Sequence, residues 1–537
     1  MRRIFLLVAA AGLAAAQTGS ISSERIRAHV KFLSSDLLEG RGVGARGGDL
    51  ATEYIATQFA LAGLQPAGDQ NTFFQRVSLV GVETEPNAAL TLSKDNVDAH
   101  LQWLDDFVGV TGRQQETNEV DGDILFVGHG ITAPNFDWDD YKGVDVRGKV
   151  LVLFTNEPPS KDPKFFGGDA LTYYGRWTFK YEEAIRRGAQ AVFILHTTPT
   201  AGYSYDVVRS SWGKEDPQVK LSSGESALAF AGWLSQPAAE RLAVMAGTTL
   251  DAMLAEANQR DFRPRSLGVH LHARVNATIR PIESRNVAAL VPGSDPKLKD
   301  EAVVFTAHWD HLGIGAPVHG DKIYNGAVDN ASGCGVLLEL ARAWMAQPQK
   351  PRRSALFLAV TAEEAGLRGS QFYAAHPIIP DGKLAIDINY DALYPFGRTR
   401  DVNVSGAERT TAWPVVQEVA RHMGLRITPD AHPEQGDYYR SDHFSFARAG
   451  VPAFSVSMGS DFIGKPASFS EKIFQDYVSK NYHQPSDEYR EDWDFSGMRQ
   501  MAQFGMEIGL RVANQTALPT WNAGDEFLPA RVKSGVR

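Results

Sequence analysis

This sequence predicts an α/β fold with a mostly parallel sheet, on three observations. From about Glu283 onward, apolar runs of strand length recur: NVAALVPG, AVVFTAH, SALFLAVTAEE, KLAIDINYDAL and VPAFSVSM. Helical stretches over 331–347, 368–376 and 411–423 separate several of them, which is the alternation a parallel sheet with crossover helices requires. Third, His, Asp or Glu stands where several of these runs end, the edge on which open α/β sheets build their sites. The expected class is α/β, a mostly parallel or mixed sheet with helices on both faces, plus an inserted β-rich domain.

Taken in order, the chain begins with a targeting pattern. Arg2 and Arg3 precede an apolar run over 4–15, and Ala14-Ala15-Ala16 before Gln17 reads as a cleavage site, so 1–16 is expected to be a signal peptide. That predicts a secreted or periplasmic protein. No later run of 18 apolar residues occurs, so no stable membrane span is expected in the mature chain. Residues 17–120 read as the N-terminal part of the main domain. ISSERIRAHVKFLSSDLLEG and GGDLATEYIATQFALAGL both carry apolar residues at helical spacing, and 79–117 alternates as strands. Residues 121–280 read as the inserted domain, with β runs GDILFVGHGI, RGKVLVLFT and QAVFILH and a helical stretch RWTFKYEEAIRRGA. The main domain resumes over 281–515. Pro519, Gly524 and Pro529 mark 516–537 as an extended tail.

Composition narrows the function. The chain has 537 residues, 43% hydrophobic and 22% charged, which describes a globular protein of more than one domain. Its net charge is −10 with no basic block, so nucleic acid is not an expected partner. Cys334 is the sole cysteine, so no intrachain disulfide and no cysteine-based zinc site can form. It lies on an apolar helix face and reads as a packing residue.

Five places carry possible metal ligands or catalytic groups. His308 and Asp310 end the run over 302–307; Asp329-Asn330 opens a helical pattern; Glu363-Glu364 follows the run over 355–361; Asp391 follows the run over 384–389; His483 lies in NYHQPSDE. Singly each has a bland reading, since Asp-Asn is also a helix cap and adjacent glutamates commonly form a solvated turn. Together they put imidazole and carboxylate donors at one edge of one sheet. His311 and His319 read as loop residues or outer partners rather than ligands.

The joint pattern resembles the zinc aminopeptidases of the M28 family, over about 284–510 and loosely over 20–80. Its elements read here as His308-Trp309-Asp310, then Gly326-Ala327-Val328-Asp329-Asn330-Ala331-Ser332-Gly333, then Glu363-Glu364-Ala365-Gly366, then Asp391, then Tyr482-His483, with Ser441-Asp442-His443 and Gly450-Val451-Pro452 before the last. The resemblance implies two Zn2+ per chain. Asp329 would bridge them, His308 and Asp391 would complete one site, and Glu364 and His483 the other. A bridging carboxylate suits two cations about 3.5–4 Å apart, because it screens their repulsion. By the same resemblance Glu363 is the general base acting on a metal-bridging water, Asp310 accepts the His308 ring N–H, and Tyr482 stabilises the oxyanion. The implied activity is removal of N-terminal residues from peptides. Alternatives on the same fold are a carboxypeptidase, a glutaminyl-cyclase-like enzyme, and an inactive receptor-like binding protein. The stretch from GDILFVGHGI to WDDYKGVDVRGKVLVL resembles a protease-associated domain, which implies a role in substrate access.

Overall fold

The computed structural model describes residues 21–221 and 224–536, so the signal-peptide expectation over 1–16 lies outside the described residues. The chain forms two compact units. One takes in the described residues up to Val77, Glu283–Ala431 and the chain from Arg440; the other takes in Ser78–Ile282 and His432–Tyr439.

The labelled elements of the first unit are α1 Ser23–Leu33, α2 Arg46–Leu61, β1 Arg265–Val291 (whose end from Glu283 belongs here), β2 Ala302–His308, α3 Ser332–Met345, β3 Ser354–Val360, α4 Arg368–Ala375, β4 Leu384–Asn389, α5 Trp413–His422, α6 His443–Arg448, β5 Ala453–Ser455, α7 Phe469–Lys480 and α8 Ser496–Asn514. The strand order is β5-β4-β2-β3-β1. The first three pairings are parallel and β1 runs antiparallel to β3. Every residue of β2, β3 and β4 is buried, which explains why these strands read as continuous apolar runs rather than alternating ones. Phe305 of β2 stands in register with Phe357 of β3, their rings stacked at 5.2 Å, and Trp344 of α3 meets Phe305 edge-on at 5.5 Å.

Helix α3 is held from outside the sheet by a buried carboxylate. Glu339 receives Arg25 of α1 at 2.8 Å and Arg342 at 2.7 Å, and the Ser22 N–H donates to it at 2.7 Å. Burial alone would raise its pKa, but the hydrogen bonds from Arg342 and Arg25 hold it below the usual value. Helix α8 packs on α3 and on β4. The sequence reading did not single it out, although Met498, Met501, Ala502, Gly505, Ile508, Gly509 and Val512 recur at helical spacing and are buried.

The second unit has a parallel run of strands, Thr117–Phe126, Val150–Phe154, Ala191–Leu195 and Phe230–Leu234, with Phe107–Val110 antiparallel at its edge. Alternate residues build two cores. Val150, Val152 and Phe154 pack with Leu242 and Met253, while Leu151 and Leu153 pack with Tyr181 and Trp233. The unit is rich in strands as expected, and it also carries helices Trp177–Arg186, Tyr205–Trp212, Gln236–Met245 and Leu250–Ala257. It begins at Ser78 rather than near 121, because Ala89–Lys94 and Val97–Leu101 form a hairpin that pairs with the first part of β1.

The C-terminal segment is not an extended tail. Trp521 is buried against Phe527 and donates to the Gly450 carbonyl at 2.9 Å. Leu528–Lys533 is a short helix whose buried Arg531 donates to the carbonyls of Leu384 and Pro519, each at 2.8 Å. Burying those two side chains outweighed the Pro and Gly signals.

Candidate metal centre

Because β2, β3 and β4 are parallel and in register, their C-terminal ends share one edge of the sheet. His308 is the last residue of β2. Glu363-Glu364 lies three residues past β3, after a left-handed residue at Ala362 (φ 51°), and Asp391 lies two past β4. Asp329 comes in the turn that leads into α3. Asn330 fixes that turn: its Nδ2 donates to the Tyr390 carbonyl at 2.9 Å, and its Oδ1 accepts the Gly333 N–H at 2.8 Å. His483, also left-handed (φ 57°), sits in the loop between α7 and α8.

These residues converge. His308 Nε2 lies 3.2 Å from Asp329 Oδ1 and 3.2 Å from Asp391 Oδ1, with Glu363 Oε2 at 3.9 Å. His483 Nε2 lies 2.9 Å from Glu364 Oε2 and 3.5 Å from Asp329 Oδ2. Asp329 thus turns one oxygen toward each imidazole. Two donors bound to one tetrahedral ion at about 2.0 Å stand about 3.3 Å apart, so these separations suit shared ligation.

Charge points the same way. Burial would keep the His308 ring neutral, yet Asp391 and Glu363 beside it push its pKa well above the usual value. Likewise His483 is buried, but Glu364 and Asp329 push it up to about 9. Burial drives Glu363 well up, His308 opposing and Asp391 and Glu364 adding to it; burial also lifts Asp442 to about 7 and Asp310 to about 6. So many carboxylates around two imidazoles leave the pocket short of positive charge. Divalent cations would supply it, and imidazole with carboxylate and no thiolate is a donor set that zinc accepts.

One expected contact differs. His308 Nδ1 faces the backbone carbonyl of Asp310 at 3.2 Å, while the Asp310 carboxylate is 3.9 Å away. That carboxylate instead accepts the backbone N–H groups of Glu363 at 3.2 Å and Glu364 at 3.4 Å. It therefore fixes the Glu-Glu turn. Tyr482 stacks on His483 with ring centroids 3.9 Å apart, and its hydroxyl oxygen accepts from Arg440 at 3.2 Å. Cys334 is buried, and burial pushes its thiol up to about 12, as a packing residue requires. His319 is exposed in a hairpin turn.

Residues 286–505 match the family model for Peptidase family M28. Every residue of the cluster lies inside the matched stretch. Leupeptin-inactivating enzyme 1 of Streptomyces exfoliatus is 27% identical to the chain over 190 residues, 35% of this chain and 38% of that enzyme, so the match spans well under half of that relative. An aminopeptidase from Aneurinibacillus sp. strain AM-1 shares the fold, with a TM-score of 0.53 and 19% identity over 91% of this chain and 94% of its own. A zinc aminopeptidase from Bacillus subtilis aligns at a TM-score of 0.46 and 16% identity, over 95% of this chain and 97% of its own.

Three further residues support this cluster and carry little or no signal in the sequence. Arg41 is wholly buried and donates to the carbonyls of Leu33, Trp309, Asn325 and Gly326 at 2.6–2.9 Å, tying the α1–α2 segment to the turns that carry His308 and Asp329. Only its Gly-rich surroundings, GRGVGARGG, marked it. Asp487 accepts the N–H groups of Val328 at 3.0 Å and Asp329 at 3.1 Å, and it follows His483 by four residues. The third is His311, set aside as a loop or outer residue, which donates to or accepts from Glu364 at 2.6 Å.

Proposed function

We propose that this chain is a metallopeptidase that uses two zinc ions to remove N-terminal residues from peptides. The reading assigns His308 and Asp391 to one ion, Glu364 and His483 to the other, and Asp329 to both. The observation that carries it is the two-faced carboxylate of Asp329, 3.2 Å from one imidazole and 3.5 Å from another. The match to the family model supports peptide hydrolysis. The aminopeptidase activity is carried over from the Aneurinibacillus neighbour's name, as an expectation to be tested.

Bound zinc would supply Lewis acidity, polarising a carbonyl and acidifying water at neutral pH. The chain's own residues do the rest. Glu363 is buried beside the cluster and lies 3.9 Å from His308, outside the ligand set of this reading. It takes a proton at its carboxylate from the attacking water and hands it to the leaving amine. Asp310 holds Glu363 and Glu364 through their N–H groups, so base and ligand keep a fixed relation. Ser441 donates to Asp391 Oδ2 at 2.6 Å, which leaves Oδ1 toward His308. Tyr482, its oxygen already accepting from Arg440, keeps its O–H to donate to an oxyanion. The inserted unit contributes none of these groups, so its role lies outside the chemistry; with the protease-associated resemblance, we assign it to substrate access. Export by the N-terminal segment is part of the same proposal.

The test is a panel of aminoacyl-p-nitroanilides and peptides, with free and blocked N-termini, run on wild type and Glu363→Gln. Free-amine substrates should be cleaved and blocked ones spared. Glu363→Gln should keep its metal and lose roughly 10²–10⁴ in rate. Equal cleavage of blocked peptides, or near-normal turnover by the variant, would overturn the assignment.

A further inference from the structure

His311 follows Asp310 in the turn after β2 and is buried completely, with a side-chain exposure of 0%. Its Nδ1 lies 2.6 Å from Glu364 Oε1. That is well short of the roughly 3.3 Å between two donors sharing one tetrahedral ion. It is slightly shorter than the roughly 2.7–2.9 Å of a charge-assisted N–H···O hydrogen bond, so the contact is a direct one. The other oxygen of the same carboxylate, Oε2, faces His483 Nε2 at 2.9 Å. Glu364 therefore has one oxygen toward the centre and one tied down from behind.

The fold is shaped to hold the ring there. Gly326 adopts φ 57°, and a Cβ at that position would stand 2.5 Å from the His311 ring, so the approach needs glycine. The His483 ring meets the His311 ring edge-on, with centroids 5.7 Å apart. The Arg41 carbonyl accepts the His311 backbone N–H at 3.4 Å. Asp329 stands close enough that it, Glu364 and His311 form a group of converging donor atoms.

Resting on the two-zinc reading above, we infer that His311 is a positioning residue for the metal site of Glu364 and His483: its Nδ1–H occupies Glu364 Oε1 and holds the carboxylate to one-oxygen ligation through Oε2. The role is selective, because among the described residues the only carboxylate that His311 bonds is Glu364. The site of His308 and Asp391 has its own tether, the Ser441 hydroxyl on Asp391.

The experiment compares zinc binding by the full-length wild type, His311→Leu and His311→Asn, by competition against a chromogenic chelator. Asparagine places an amide donor where Nδ1 was, and leucine fills similar space with no donor. In His311→Leu one of the two zinc ions should bind 10–100-fold more weakly, the range typical for loss of an outer hydrogen-bond partner, and the other should keep its affinity. His311→Asn should bind both ions close to wild type and clearly more tightly than His311→Leu, because its amide keeps a donor on Glu364. Unchanged binding by His311→Leu refutes the inference. So does equal weakening in both variants, which would make the ring a packing element or a direct ligand. A wild-type protein that does not bind two zinc ions refutes the functional reading itself, and is seen before either variant is compared.

Discussion

Buried histidines divide this protein into two kinds of site. In the cluster they stand among carboxylates, which favour the charged ring. His129 stands instead beside Asn258, with the Lys180 ammonium near enough to disfavour a second positive charge. His129 is 1% exposed, its Nε2 is 2.9 Å from Asn258 Oδ1, and burial lowers its pKa to about 4. The folded ring stays neutral between about pH 6.5 and 4, while the unfolded chain takes up a proton there. The stability it allows is present above pH 6.5 and is lost as pH falls toward 4. The loss amounts to roughly 3 kcal/mol at the bottom of that window. Urea denaturation at pH 7 and 4.5 should show it, and His129→Gln should flatten the difference. An identical pH difference in the variant would contradict the assignment. At this scale the sequence was most legible for residues whose type limits their chemistry. His308, Glu363, Glu364 and Asp391 stand at the ends of apolar runs, where burial and charge conflict unless something uses them, while Asp329 and His483 were legible only through the joint motif. Asp310 was only half legible. Its spacing from His308 placed it at the right turn, but whether carbonyl or carboxylate meets the ring depends on a backbone path that spacing does not encode. Arg41 was not legible, because its partners are carbonyls and any residue type supplies those.

Element by element, the start of α3 carries the most constraint. Gly333 accepts no side chain: a Cβ there would stand 2.3 Å from the Tyr390 carbonyl oxygen and 2.4 Å from Asn330 Oδ1. Ser332 adds two more ties, donating to the Val328 carbonyl at 2.7 Å and accepting the Leu393 N–H at 2.9 Å. The turn of Asp329 and the loop of Asp391 are thus bound to the same helix end. Gly333→Ala should cost about 1–3 kcal/mol, as overpacking in a tight core does, and should lower the melting temperature. An unchanged melting temperature would show that the turn can relax. The parallel strands were readable because burial on both faces writes a continuous apolar run. Helix α8 was open to the same reading by its period. The short helix Leu528–Lys533 was not, since six residues with a proline carry too little pattern and the structure rests on Trp521 and Arg531 instead.

For the molecule as a whole, the chain divides into two units with separate cores. All the proposed ligands belong to the unit built on β2, β3 and β4. Its metal should therefore stabilise that unit and leave the other alone. At a metal concentration a hundred times its Kd the linkage is about 2.7 kcal/mol. For a unit of this size that is roughly 4 °C in melting temperature. Hydrogen exchange before and after EDTA treatment should show lower protection in α3 and unchanged protection in strand Ala191–Leu195. Equal loss in both would contradict this division. The boundary at Ser78 was hidden in the sequence, because Ala89–Lys94 of that hairpin pairs with residues from His270 to Arg274, and local pattern does not name so distant a partner.

The central claim is that one carboxylate, Asp329, serves two metal ions, and the metal content of Asp329→Ala tests it most directly. Wild type purified with zinc should hold two ions per chain by mass spectrometry. The variant should hold fewer than one, because both sites lose a ligand together, while its secondary structure by circular dichroism stays that of wild type. Two ions retained in the folded variant would make Asp329 a helix cap and contradict the account.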